Sequence, residues 1–104
     1  ILYIYKTKTH KMITLDQARR IGKRLSVNFD VVSVNTLKKG MNVELEHGRE
    51  NRLTNITDNN LVLTAKIALA HIAEYPDYYE RLEKMEQSAE KYWKNRRKPH
   101  IFIN

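Results

Sequence analysis

Leu61-Val-Leu-Thr-Ala-Lys-Ile-Ala-Leu-Ala-His71-Ile-Ala-Glu74-Tyr-Pro76-Asp-Tyr-Tyr79 decides the fold class of this chain. From Leu61 to Tyr75 it is apolar around most of a helical circumference, so it reads as a helix enclosed on several sides, the central and most buried one. Pro76 forbids simple continuation, because the residue before a proline is pushed out of the α region. A further helix starts at Pro76 or Asp77, where proline suits a first turn. Its apolar stripe is Tyr78, Leu82, Met85, Ala89 and Tyr92/Trp93, with Asp77→Arg81, Glu80→Lys84 and Glu90→Lys94 as i,i+4 pairs on the solvated side.

Outward from this stretch, the rest of the chain is helical too. Thr14-Leu-Asp-Gln17 has the form of a capping box and opens a helix over 15–25, in which Ala18, Ile21, Gly22 and Leu25 recur at helical spacing. Val34, Leu37, Met41 and Leu45 define another helix, which Gly48 is expected to end by taking a positive φ. Residues 49–60 are polar loop material rich in capping side chains. The ends, Ile1–Lys6 and His100–Asn104, are rich in β-branched and aromatic residues and suggest a short two-stranded ribbon, or a strand added to a partner's sheet. The expectation is a mainly α protein: a compact bundle of about four helices with a helical domain over 13–93, an N-terminal basic extension over 1–12 and a C-terminal basic tail over 94–104.

At 104 residues the chain has room for one core, and its 41% hydrophobic and 30% charged residues are those of a folding globular protein. The absence of cysteine excludes a disulfide framework, a thiolate zinc site and a cysteine nucleophile. The longest apolar stretch, 61–73, is interrupted by Thr64, Lys66 and His71 and is too short to span a bilayer. Residues 1–5 are too few for the apolar core of a secretory signal, so an intracellular or virion location is expected and secretion is not.

The net charge is +7 and unevenly spread. Arg19, Arg20, Lys23 and Arg24 form the outer face of the first helix, and Lys94, Arg96, Arg97 and Lys98 follow the last one. Both sets suit a polyanionic partner, DNA or RNA, or an acidic protein surface; a simple solvated face is the competing account. No glycine-rich phosphate loop or RNA-binding signature accompanies them, so contact with nucleic acid should be to phosphates and weakly sequence-specific.

Chemistry of a different kind is suggested by Glu44-x-x-His47 and His71-x-x-Glu74, each pair on one helical face. Packed antiparallel, the two helices would bring together two histidines and two carboxylates, a set able to take a divalent metal as cofactor. A buried hydrogen-bond network, or a metal-free acid/base or small-ligand role, accounts for the same residues. Glu44 and Glu46 fall in the expected last turn, where the helix dipole disfavours an anion, so a metal, Arg49, Arg52 or Lys66 is expected to compensate them. No nucleophile stands out, and a non-enzymatic role is favoured.

Ile13–Ala18, Gly40–His47, Thr54–Thr57, Lys66–Tyr79, Arg81-Leu82 and Met85-Glu86 together resemble a family of small domains of unknown function, over about residues 13–88. The resemblance implies an origin among bacteriophages, large DNA viruses or bacteria, and so a virion component or genome-associated protein. Three functional expectations follow: a non-enzymatic assembly or nucleic-acid-associated component, with virion proteins among its partners; a metal-binding module or metal-dependent enzyme using the Glu/His cluster; and an adaptor adding a terminal strand to a partner.

Overall fold

The computed structural model of the chain describes residues 12–103, which form four α-helices and one short 3-10 turn, with no strand among them. The helices are α1 (Leu15–Arg24), α2 (Val34–Glu50), α3 (Leu61–Glu74) and α4 (Tyr78–Trp93), with the 3-10 turn at Arg52–Thr54. The bundle expected from the helical spacing is therefore what forms. The N-terminal half of the suggested ribbon, Ile1–Lys6, lies outside the described residues, and residues 100–103 are not in a strand.

Local signals explain the helix ends. Thr14 Oγ1 accepts the Gln17 N–H at 3.1 Å and the Gln17 side chain accepts the Thr14 N–H at 2.9 Å, so the box satisfies two otherwise orphaned donors. α1 stops in a Schellman arrangement: Val27 N–H reaches the Gly22 carbonyl at 2.9 Å and Ser26 N–H the Lys23 carbonyl at 3.0 Å. Ser26 sits at φ 61°, where glycine is the usual occupant. Ser33 caps α2 through the Thr36 N–H.

Between α2 and α3 three asparagines order the chain. Asn51 Oδ1 accepts from Leu53 N–H, Asn55 Oδ1 from Asp58 N–H, and Asn60 Oδ1 from Leu63 N–H, the last capping α3. Asp58 and Asn59 both have positive φ, and Asn60 N–H closes the turn on the Thr57 carbonyl at 2.8 Å. Asp and Asn tolerate such a turn better than most residues because their short polar side chains bond locally.

The core gathers Ile13, Ala18, Leu37, Met41, Leu45, Ala65, Ala68, Ile72 and Tyr79. α2, not α3, is its centre: eight α2 residues are buried against four in α3, whose Leu63 is 42% exposed. The reason lies in neighbours rather than hydropathy, since α2 packs against α1, α3 and the 3-10 turn while its polar side chains reach α4. Gly48 does not end α2; it lies buried inside it with no positive φ. A Cβ there would stand 2.7 Å from Thr57 Oγ1 and 2.9 Å from Asn55 Oδ1, so the missing side chain serves close approach of the loop.

The register of α4 also differs from the apolar stripe. Met85 and Tyr92 are 60% and 54% exposed, while Tyr79, Leu82, Glu83, Glu86, Ala89 and Trp93 are buried or half-buried. Two acids thus replace Met85 on the inner face: Glu83 faces Lys39 at 3.4 Å and Glu86 faces His47 at 3.9 Å. On the outer side Asp77–Arg81 pairs at 2.9 Å, whereas Glu80 lies 3.8 Å from Lys39 of α2.

Candidate functional site

Glu44 is the centre of the polar cluster. It occupies the inward face of α2, three residues from Met41 and one turn before Gly48, and only 8% of it is exposed. Tyr79, at the start of α4, donates its hydroxyl to Glu44 Oε2 at 2.7 Å. His71 of α3 brings Nε2 to 3.8 Å from the same oxygen, and His47 brings Nδ1 to 3.6 Å from Oε1. His47 Nε2 in turn faces Glu86 Oε1 at 3.9 Å. One carboxylate thus joins α2, α3 and α4, and a second one on α4 extends the chain.

Aromatic packing fixes the ring positions. His71 stacks on Tyr78 with centroids 4.1 Å apart and planes within 8°, and meets Tyr79 edge-on at 6.3 Å. Tyr78 and Tyr79 contact each other edge-to-face at 4.9 Å. Gly40 lets the Tyr79 ring lie against α2, since a Cβ there would stand 2.6 Å from Tyr79 Cε2.

The electrostatics follow from this geometry. Burial pushes the Glu44 carboxyl up, but hydrogen bonding from His47 and Tyr79 and the charges of both histidines outweigh it and hold it below the ordinary carboxylate range. Burial, the Glu44 charge and the hydrogen bond to it drive the Tyr79 phenol far above its ordinary value, so it remains a donor. The Tyr78 phenol is raised as well, by burial and by Glu44 and Glu74. Compensation for Glu44 therefore comes from a tyrosine and two histidines; Arg49 instead bonds Asn59 Oδ1 at 2.8 Å. α2 also runs on to Glu50, so Glu44 stands more than a turn from the helix end.

Of the four residues expected to converge, Glu44, His47 and His71 do so. Glu74 is exposed, and its charge helps raise the Tyr78 phenol. Glu46 lies two residues from Glu44, about 200° around the helix, and is buried with Oε2 accepting no hydrogen bond. No group of three or more His, Asp or Glu side chains placed to hold a metal ion occurs among the described residues. Sequence reading missed Tyr79 and Glu86; their seven-residue spacing, two turns on one face, is the signal that could have found them.

Beside the cluster an open cleft of about 390 Å³ lies between the C-terminal half of α2, the 51–60 connection and α3. Glu44, His47, Gly48, Ile56, Thr57 and Ile67 are among the residues lining it. Thr57 is 4% exposed, and its Oγ1 has no hydrogen-bond partner.

The basic side chains lie on α1 and beyond α4. Arg19, Arg20, Lys23 and Arg24 are all exposed on α1; Asp16 pairs with Arg20 at 3.0 Å and lies 3.9 Å from Arg19. Lys23 and Arg24 have no acidic partner among the described residues. Lys94, Arg96, Arg97 and Lys98 are exposed beyond α4, where Arg96 lies over the Tyr92 ring at 4.2 Å and donates to the Tyr92 carbonyl at 2.9 Å. No helix among the described residues is long and apolar enough to cross a membrane.

Residues 18–88 match a family described as "Protein of unknown function (DUF5661)". No curated protein and no solved structure matches the chain. The matched span holds the whole Glu44 cluster and the basic face of α1, while Lys94, Arg96, Arg97 and Lys98 lie beyond it.

Proposed function

The chain belongs to the DUF5661 family, and from that premise we propose that it is a non-enzymatic nucleic-acid-associated domain that holds phosphates on the exposed face of α1. The observation that carries the reading is the charge on that face. Four cations, Arg19, Arg20, Lys23 and Arg24, share one acid, Asp16, and the last two have no acidic partner among the described residues. Cations not neutralised by neighbours are the ones that displace counterions from a phosphate backbone. The basic tail residues Lys94, Arg96, Arg97 and Lys98 add a second contact of the same kind.

In this reading the Glu44 cluster is the internal clamp that keeps α2, α3 and α4 rigid behind the binding face. A basic helix face and a basic tail without a recognition helix contact the backbone of DNA or RNA rather than base edges, so affinity is nearly independent of sequence. In its finer form the reading makes the protein a component that accompanies a virus or phage genome within the particle; the resemblance of the central motifs supports that part. A metal-binding role for Glu44, His47, His71 and Glu74 has less support, because Glu74 stands apart from the other three.

Filter binding of labelled duplex DNA and single-stranded RNA over a salt series tests the proposal. Binding should be tightest at the lowest salt and should weaken steeply as salt rises. Absence of measurable affinity for either at low salt would remove the reading.

A further inference from the structure

A larger cleft, of about 510 Å³, is lined chiefly by Val27, Val31 and Val32 of the 25–33 connection, by Leu69 and Ile72 of α3, and by Pro76. Its size lies within the range of about 300–1,000 Å³ typical of concave binding sites, and its walls are mostly apolar. Val31 is 78% exposed, so this apolar surface is open to a partner. Acids flank it. Asp30 precedes Val31 and Glu74 stands two residues before Pro76; both are exposed, and neither forms an ion pair among the described residues. Glu74 is also the last residue of α3, where the helix dipole adds negative partial charge. The cleft therefore suits an apolar group with positive charge beside it.

The tail of this same chain has that chemistry. Ile101 is 77% exposed and Ile103 wholly so, while Phe102 between them is half-buried and meets the His100 ring edge-on at 6.5 Å. Arg97 and Lys98 stand just before them, exposed and in no ion pair among the described residues. The tail thus sets apolar groups next to cations, the complement of the cleft, and within its own molecule it leaves both isoleucines in water. We propose that the tail of one copy inserts Ile101 and Ile103 into this cleft on a second copy, with Lys98 facing Asp30 and Glu74. Tail and cleft are different patches and every copy carries both, so the contact is heterologous and links copies head to tail. The cations of α1 take no part in it.

Sedimentation equilibrium of the full chain, without nucleic acid and over a range of protein concentrations, tests the proposal. The weight-average mass should rise above that of the monomer as concentration increases. Ile101→Ser/Ile103→Ser keeps every tail cation, and Val31→Lys puts a cation into the cleft wall. Each should weaken the association about 10-fold or more, the worth of burying a single large aliphatic side chain. All three positions are exposed, so both variants should keep the circular dichroism of the wild type. Mixing them is the decisive step. The serine variant retains a cleft and the lysine variant retains a tail, so together they should form a 1:1 complex that neither forms alone. A chain that stays monomeric at every concentration, association that survives either variant, or no complex on mixing would overturn the proposal and leave the cleft to another occupant. Both variants keep Arg19, Arg20, Lys23 and Arg24, so such a failure would leave the phosphate-binding reading standing.

Discussion

Replacing Tyr79 with phenylalanine deletes one oxygen from the point where α2, α3 and α4 meet. The ring keeps its place against Gly40, so the loss is confined to the 2.7 Å bond to Glu44 Oε2. A hydrogen bond to a charged group contributes about 1.5–3 kcal/mol. For a domain of this size that corresponds to a fall in Tm of about 7–14 °C. The cost should depend on pH with a defined sign. The Glu44 carboxyl titrates below its ordinary value of 4.5 in the folded protein. Its contribution is therefore fully present above the unfolded value and disappears as pH falls through the lower folded one. Near pH 7 the variant loses a charge-assisted bond; at a pH below the lowered folded value it loses only a neutral one, about 0.5–1.5 kcal/mol. Urea unfolding followed by circular dichroism at both pH values measures the difference. A loss below about 0.5 kcal/mol near neutrality, or the same loss at both pH values, would refute the role given to Glu44.

Other outcomes follow from single contacts. Gly40→Ala gains helix propensity of about 1 kcal/mol, yet its Cβ would stand 2.6 Å from Tyr79 and 3.1 Å from Ala68; a net destabilisation of about 1–2 kcal/mol is expected in urea melts. Ser26→Gly relieves a serine held at φ 61° and should stabilise by about 0.5–1 kcal/mol, seen as a higher Tm. Asn42→Ala removes the buried acceptor of the Ile13 N–H at 2.8 Å, so faster amide exchange at Ile13 and Thr14 is expected while α3 amides stay protected.

What the sequence made legible, and what it did not, follows from how local each signal is. The Thr14–Gln17 box and the Pro76 break act within a few residues, and both appear where the sequence puts them. Gly48 misled because its role is to admit Thr57, nine residues away, a contact no local rule contains. α3 was expected to be central from its hydropathy, but burial depends on what packs on a helix: α2 lies against α1, α3 and the 3-10 turn and meets α4 through Glu44 and Lys39, while α3 leaves Leu63 exposed. The Glu44-x-x-His47 and His71 pattern found three members of the cluster. Tyr79 and Glu86 escaped because hydrophobicity placed the α4 stripe one position off, and the inner face there is chosen by Lys39 and His47 on another helix.

The central claim is that the α1 face holds a phosphate backbone, and fluorescence anisotropy of a labelled DNA duplex in 50 and 200 mM KCl tests it most directly. The four α1 contacts alone should contribute about a 150-fold fall in affinity across that range, from a slope of about −0.9 per contact. The Lys23→Gln/Arg24→Gln variant, with two contacts removed, should show a fall about 12-fold smaller than the wild type's. An affinity that ignores salt, or a double variant with the slope of the wild type, would contradict the account.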